Sequence, residues 1–312
     1  MQSIDVGPKP DRQDWFHARI EWLGHLDAEE TAPALRPGAR HLATFPSDES
    51  DPTEADCHAV DDQIWIWQPG VGAVRFSLNA PCLYAYPWPG GDEEHFRFTV
   101  THTWLPSILP LWKRQVLHAS AVACPSSGLA VAFTGPTHAG KSTTAYGLAR
   151  EGRWLPISDD TIGFTVSNGV VDLYPLPNAP RLRSATARHY GVSSADAEPL
   201  AWPDTAIRLG AVYALDPLDP DSDAPVAEFV RLRAADAVRV LLEQAFTLSF
   251  ELPKYNQQLM TDYVALATAT PVFRLSYRRS FDVVDELFRA IQAHLAREAG
   301  LSCDTSEHRH PV

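Results

Sequence analysis

Leu129-Ala130-Val131-Ala132-Phe133-Thr134-Gly135-Pro136-Thr137-His138-Ala139-Gly140-Lys141-Ser142-Thr143 is the stretch that decides the fold. An apolar run, Leu129–Thr134, leads into Gly-x-x-x-x-Gly-Lys-Ser at Gly135–Ser142. The residues after it, Ser142–Glu151, read as a helix, because Ala145, Leu148 and Ala149 recur on one helical face and Gly152 is placed to end it. Strand, glycine loop and helix in that order make an anion cradle. The glycines let the backbone curl so that successive N–H groups face one point, and the helix adds its positive end. Lys141 is placed to reach the β- and γ-phosphates of a nucleoside triphosphate, and the Ser142 hydroxyl is a ligand for Mg²⁺. His138 has two readings, a side chain facing solvent or a contact to the nucleotide.

A carboxylate is needed near such a loop to hold the metal. Asp159-Asp160 closes the short strand Trp154–Ile157 only 18 positions after Lys141. Two adjacent carboxylates can divide the work, one holding Mg²⁺ with Ser142, the other taking a proton from an attacking hydroxyl; the plain alternative is a turn or helix cap. His118 lies in the apolar run Val116–Ala123, joined to the loop strand by the turn Pro125–Gly128. It reads either as a satisfied core histidine or as a group that orients a nearby Asp. Arg181 and Arg183 follow the acidic pair and read as surface residues or as stabilisers of a transferred phosphoryl. Arg274, Arg278 and Arg279 near the last strand read as surface charges, with contact to an acidic acceptor as the alternative.

Outward from this unit, Thr161–Val166 and Val170–Tyr174 flank Ser167-Asn168-Gly169, a hairpin turn by residue type. Strands are predicted at Leu209–Leu215, Val226–Leu232 and Val272–Tyr277, and helices at Ala234–Phe250, Asn256–Thr268 and Phe281–Glu298, with Asp216–Asp223 a loop. In the N-terminal third, Gln63–Gln68, Ala73–Leu78, Cys82–Trp88 and His95–His102 are rich in aromatic and β-branched residues and predict a small antiparallel sheet. Residues 1–60 read as irregular, with an acidic loop at Ser47–Asp56, and Trp104–Arg114 as a short helix.

His118-Ala119-Ser120, the glycine loop, the helix to Gly152 and Ser158-Asp159-Asp160 together resemble the catalytic domain of HPr kinase/phosphorylase, and more closely the HPr-kinase-like proteins, some of which act in peptide tailoring such as lasso peptide pathways. The motifs cover Leu117–Thr161, with a looser likeness from about residue 116 to 298. The resemblance implies an α/β fold, a P-loop kinase domain of the HPr kinase and phosphoenolpyruvate carboxykinase type with a small β-rich N-terminal domain. The residues themselves read as a β-rich N-terminal domain at 1–115, with acceptor binding as one role for it, and a polar tail at 301–312; the resemblance places the catalytic domain at 116–300, and the N-terminal sheet does not match the family's regulatory domain. The resemblance implies an ATP- and Mg²⁺-dependent kinase acting on a serine hydroxyl of a peptide or small protein. Asp159 would be the base, His118 its partner, Asp160 and Ser142 the metal ligands. Lys141 and the loop Gly135, Pro136, Thr137, His138, Ala139, Gly140, Ser142 and Thr143 would hold the triphosphate. Assembly into a homo-oligomer is compatible with it. Two features depart from the family. The loop begins Gly-Pro-Thr-His where the family has Gly-Asp-Ser-Gly, and no Gly-Arg-Asn sequence occurs in the C-terminal third, so neither phosphorylase activity nor HPr itself as substrate is implied.

Composition sets outer bounds. With 45% hydrophobic and 21% charged residues the chain can build a core. A net charge of −13 repels a phosphate backbone and argues against nucleic acid as a partner. The four cysteines are far apart, which argues against a disulfide framework or a zinc site and for a reducing compartment. No apolar segment resembles a signal peptide or a membrane span, so a cytoplasmic protein with no membrane partner is expected. Two other readings stay open from the residues: a kinase of a small hydroxyl metabolite such as free serine, and a nucleotide-binding switch without catalysis.

Overall fold

The computed structural model describes residues 2–6, 18–25, 37–45, 54–150, 154–176, 182–192, 207–246 and 253–298. Gly152, Arg181, most of the acidic loop and the tail from Cys303 lie outside them. The chain is mixed α/β and divides into two compact units, Met1–Val116 with Phe246–Leu259, and Leu117–Ala245 with Met260–Val312.

The first unit is built on a seven-stranded sheet. Its strands are β1 (Gln2–Val6), β2 (Ala18–Trp22), β3 (Arg40–Phe45), β4 (Ala55–Val60), β5 (Gln63–Gln68), β6 (Gly72–Ser77) and β7 (Ala80–Pro87), in the order β1-β2-β7-β6-β5-β4-β3. All neighbours are antiparallel except β2 and β7, which run parallel. The register sets Ile64 opposite Phe76 and Phe76 opposite Leu83, which puts a fully apolar stripe on one face.

Two sequence expectations fail in this unit. Residues 1–60 are not irregular throughout, since they contribute β1 to β4. In β2 the period-two signal is only five residues long: Ala18, Ile20 and Trp22 are buried while Arg19 is exposed. And His95–His102 is helical, not a strand: α1 (Glu93–Thr99) runs through a wider π turn at Val100–Trp104 into α2 (Leu105–Ile108) and a 3₁₀ turn at Leu109–Trp112. Aromatic and β-branched content pointed to a strand, but the start signals decide. The Asp92 side chain caps the helix by accepting from the His95 N–H at 3.1 Å, Glu93 and Glu94 fill the first turn, and Arg97 reaches back to Glu93. Phe96, Val100 and Trp104, spaced by four, form the buried face, and Phe96 meets Trp22 edge-on.

The second unit carries a mixed nine-stranded sheet. In chain order the elements from this sheet onward are β8 (Gln115–Leu117), β9 (Ala119–Cys124), β10 (Leu129–Thr134), α3 (Lys141–Arg150), β11 (Leu155–Ser158), β12 (Ile162–Ser167), β13 (Val170–Pro175), α4 (Ser184–Tyr190), β14 (Ile207–Leu218), β15 (Ala227–Arg231), α5 (Ala234–Leu242), α6 (Pro253–Ala269), β16 (Val272–Arg278) and α7 (Val284–Glu298), with unit boundaries falling inside β8 and α6. The order is β11-β9-β10-β14-β13-β12-β8, and β16 pairs with both β14 and β15. β10, β14 and β16 run parallel to one another, so their C-terminal ends share one edge. The turn after β12 is a two-residue one, with Asn168 and Gly169 both at positive φ, as their residue types demand. The apolar run Val116–Ala123 is broken at His118 into β8 and β9, and β14 extends past Leu215 to Leu218 into the stretch expected to be a loop.

The main core lies on the α3 and α7 side of this sheet, where Phe133, Tyr213, Phe273, Leu275, Phe288 and Ile291 are buried together. Gly147 of α3 is where α7 comes closest: a methyl group there would overlap the Phe288 ring. One polar pair sits in the core and is satisfied, the Tyr213 hydroxyl lying 2.7 Å from His294 Nδ1. Cys57 and Cys82 are free thiols. Among the described residues no helix is long and apolar enough to cross a membrane.

Candidate active site

The site forms at the shared C-terminal edge of the parallel strands. β10 ends at Thr134, the loop Gly135–Gly140 follows, and α3 begins at Lys141. The loop curls because three of its residues have left-handed or positive-φ backbone: Gly135 (φ 142°), His138 (φ 70°) and Gly140 (φ 87°). Its inner hydrogen bonds run from Ala139 N–H to Pro136 O and from Thr144 N–H to Gly140 O. β14 and β16 wall it in. A Cβ on Gly135 would lie 2.9 Å from Leu215 O, and one on Gly140 would lie 2.5 Å from Tyr277 Oη. That Tyr277 hydroxyl donates to Ala139 O at 2.6 Å. Burial pushes its phenol up to about 12, so it remains a protonated donor at neutral pH.

These contacts set an expectation for Gly140→Ala. Both the backbone conformation and the space are wrong for a side chain, and an ill-fitting φ alone costs about 1–3 kcal/mol. The substituted protein should melt at a lower temperature and bind Mg-ATP more weakly. Adding Tyr277→Phe, which removes the clashing oxygen, should recover part of the melting temperature but not all of it. Equal melting of Gly140→Ala and wild type would refute this account of the loop.

Lys141 is buried, and its Nζ donates to Gly135 O at 3.0 Å and Pro136 O at 3.3 Å. Burial pushes its ammonium below the usual lysine range, Asp160 and Asp159 oppose that shift, and Arg183 adds to it. Both acids and Arg183 are therefore within electrostatic reach of the lysine. Arg183, just before α4, brings Nη1 to 3.5 Å from His138 Nε2, and among the described residues it forms no ion pair. A lysine and an arginine within electrostatic reach of each other at a curled backbone loop form a place for an anion. Pro136, Thr137 and His138 are exposed, and Ala139 is buried. Ser142 and Thr143 are half-buried, and Thr143 ties α3 to α4 through Thr186 Oγ1 at 2.8 Å.

The acidic pair is split. Asp159 is buried, 6% exposed, and its Oδ1 accepts from Ser120 Oγ at 2.7 Å. Asp160 has left-handed backbone (φ 67°), a conformation Asp tolerates better than most residues, and its side chain is half exposed. His118 Nδ1 lies 3.4 Å from Asp160 Oδ1. The strand break fixes His118 by its backbone: its N–H donates to Gln244 O at 2.8 Å, and its carbonyl accepts from Thr134 Oγ1 at 2.9 Å. The next residue, Ala119, donates to Asp160 O at 3.1 Å. Burial pushes the His118 imidazole below its usual value; Asp160 is the main opposing charge and Lys141 adds to the lowering. His118 thus lies beside Asp160, and Asp159, the partner that the resemblance implied, is also among the charges it feels.

The structure therefore brings together His118, Lys141, Asp159, Asp160 and Arg183 around the loop. Arg274, Arg278 and Arg279 lie on and just after β16. Sequence reasoning gave no role to Ser120 or Tyr277. Ser120 had a signal, a lone hydroxyl in the buried run Ala-Ser-Ala-Val-Ala-Cys of β9. Tyr277 had none, since it reaches Ala139 from 138 positions away.

No family model matches the sequence, and no curated protein matches it. Among solved structures, the chain is similar to the HPr(Ser) kinase/phosphatase from Coxiella burnetii, at 13% identity and a TM-score of 0.33, over 60% of this chain and 93% of that one.

The residues fit a magnesium nucleotide. The loop is a curled backbone turn whose glycines pack too closely against Leu215 O and Tyr277 Oη to carry a Cβ. Ser142 and Asp160 would offer hard oxygen donors of the kind Mg²⁺ prefers, and such an ion takes one or two protein oxygens beside those of the phosphates and water.

Proposed function

We propose that this chain is an ATP- and Mg²⁺-dependent kinase that transfers a phosphoryl group to a serine hydroxyl of a peptide or small protein. The observation that carries the reading is the buried Lys141, folded onto the loop carbonyls within reach of both carboxylates. A cation stored in this way is ready to exchange Gly135 O and Pro136 O for phosphate oxygens, with little reorganisation. Ser142 and Asp160 would hold Mg²⁺, which when bound offsets the charge on the phosphates.

The acceptor's oxygen forms the new bond to the γ-phosphorus as the bond from that phosphorus to the β-phosphate oxygen breaks, and ADP leaves. Asp159 takes the hydroxyl proton. Lys141 and Arg183 meet the charge that spreads over the transferred group. His118, beside Asp160, keeps that carboxylate in place. The peptide acceptor rests on the resemblance to peptide-tailoring members of the family, and the cytoplasmic setting on the sequence.

The test is intact-mass spectrometry of serine-bearing peptides, any precursor peptide encoded beside this gene among them, incubated with the protein and Mg-ATP. A gain of one phosphate with wild type and none with Asp159→Asn is expected, and fragmentation then names the acceptor residue. No gain on any peptide, together with transfer to free serine or a sugar alcohol, would replace the peptide by a metabolite. ATP binding with no transfer to anything would overturn the kinase reading.

A further inference from the structure

Every residue of β9, Ala119-Ser120-Ala121-Val122-Ala123-Cys124, is buried, and Ser120 is its one hydroxyl. Burying a hydroxyl costs free energy unless it is hydrogen-bonded, and alanine serves at three other positions of the same strand. What Ser120 gains over alanine is its bond to Asp159 Oδ1, 2.7 Å long and itself buried. A hydrogen bond to a charged acceptor in such a place is short, strong and directional. Ser120 stands opposite Phe133, one residue before the end of β10, so the hydroxyl is carried on the strand next to the one that enters the glycine loop. The neighbouring acid is held separately. Asp160 is turned by its left-handed backbone and pairs with His118, two residues before Ser120. One short segment, 118–120, thus holds both carboxylates by different side chains.

We propose that Ser120 is a positioning residue for phosphoryl transfer: its hydroxyl fixes the orientation of the Asp159 carboxylate that takes the acceptor's proton. This rests on the kinase reading above. Catalytic groups are effective only within a fraction of an ångström of the productive geometry, and a misplacement of about 1 Å can cost on the order of a hundredfold. Ser120 is fully buried and donates to Asp159, so its loss should lower kcat and leave the KM for ATP alone.

The experiment compares Ser120→Ala, Ser120→Cys and Ser120→Thr with wild type. Binding of a fluorescent ATP analogue with Mg²⁺ counts competent sites. Turnover per site is then read as ADP release, with water and with the serine-peptide pool as acceptors. The alanine and cysteine variants should fall about ten- to a hundredfold in turnover per site with unchanged nucleotide affinity. Threonine, which restores the hydroxyl, should recover most of the rate. Cysteine nearly conserves volume, so a loss shared by alanine and cysteine is not one of packing. Wild-type turnover in the alanine or cysteine variant overturns the proposal and leaves the kinase reading standing, and so does a threonine variant as slow as alanine. A wild-type chain that binds Mg-ATP and turns it over with neither acceptor overturns both.

Discussion

Asp159→Asn is expected to lower phosphoryl transfer by about 10²–10⁴-fold, the usual contribution of a positioned general base. Binding of Mg-ATP should stay within about threefold of wild type. The substitution is nearly isosteric. The asparagine carbonyl can still accept from Ser120 Oγ, and the Thr161 N–H still bonds to the backbone carbonyl of residue 159 at 2.8 Å. What is lost is the ability to take a proton. Asp160→Asn should behave differently. Its side chain is half exposed and paired with His118, and with Ser142 it is the proposed holder of Mg²⁺. Its loss should raise the Mg²⁺ concentration needed for half-maximal rate, and should weaken nucleotide binding at low Mg²⁺. Mant-ATP titrations and single-turnover transfer, run at several Mg²⁺ concentrations, separate the two. Undiminished transfer by Asp159→Asn would remove that residue from the role of base. If Asp160→Asn then lost the rate without any change in Mg²⁺ dependence, the roles of the two acids would be exchanged.

The parts legible in the sequence are those whose signals are local. The strand, glycine loop and helix from Leu129 to Arg150 stand where the apolar run, the glycines and the helical spacing put them, because each element is decided by residues within a few positions of itself. The hairpin at Asn168-Gly169 is legible for the same reason. His95–His102 misled because its composition and its capping disagree, and a helix start is read from Asp92 and Glu93, outside the run itself. The candidate site was half legible. Lys141, Asp159 and Asp160 were legible as candidates because the loop implies a metal and a metal implies an acid. Which acid His118 faces was not, since that depends on a strand break at residue 118 and a left-handed residue at 160, and both are products of tertiary pairing. Tyr277 closes the loop from a strand that pairs with β14 and not with β10 itself, and only the sheet order reveals it.

Lys141→Ala should abolish measurable nucleotide binding under ordinary conditions. A hydrogen bond to a charged group contributes about 1.5–3 kcal/mol, and the lysine is placed to give two to the phosphates, so affinity should fall by about 10²–10⁴-fold. The effect has a second source within this chain. The ammonium is nine-tenths buried beside the Asp159 and Asp160 carboxylates, and it bridges Gly135 O and Pro136 O. Without it the loop loses the clasp that draws its first residues toward α3, and two carboxylates remain at the mouth of the site with less positive charge to balance them. An incoming triphosphate then meets net repulsion where it had met attraction. Lys141→Arg keeps the charge but not its compactness. The guanidinium is planar and larger than the space an ammonium fills between two carbonyls, so arginine should rescue little. Isothermal titration with Mg-ATP, and with Mg-ADP as a control for the γ-phosphate, reads this directly. The loss should be larger for ATP than for ADP, because the lysine reaches the terminal phosphates. Alanine-variant affinity within threefold of wild type for both nucleotides would mean that Lys141 only braces the loop. The anion would then lie elsewhere along the parallel-strand edge, nearest Arg183.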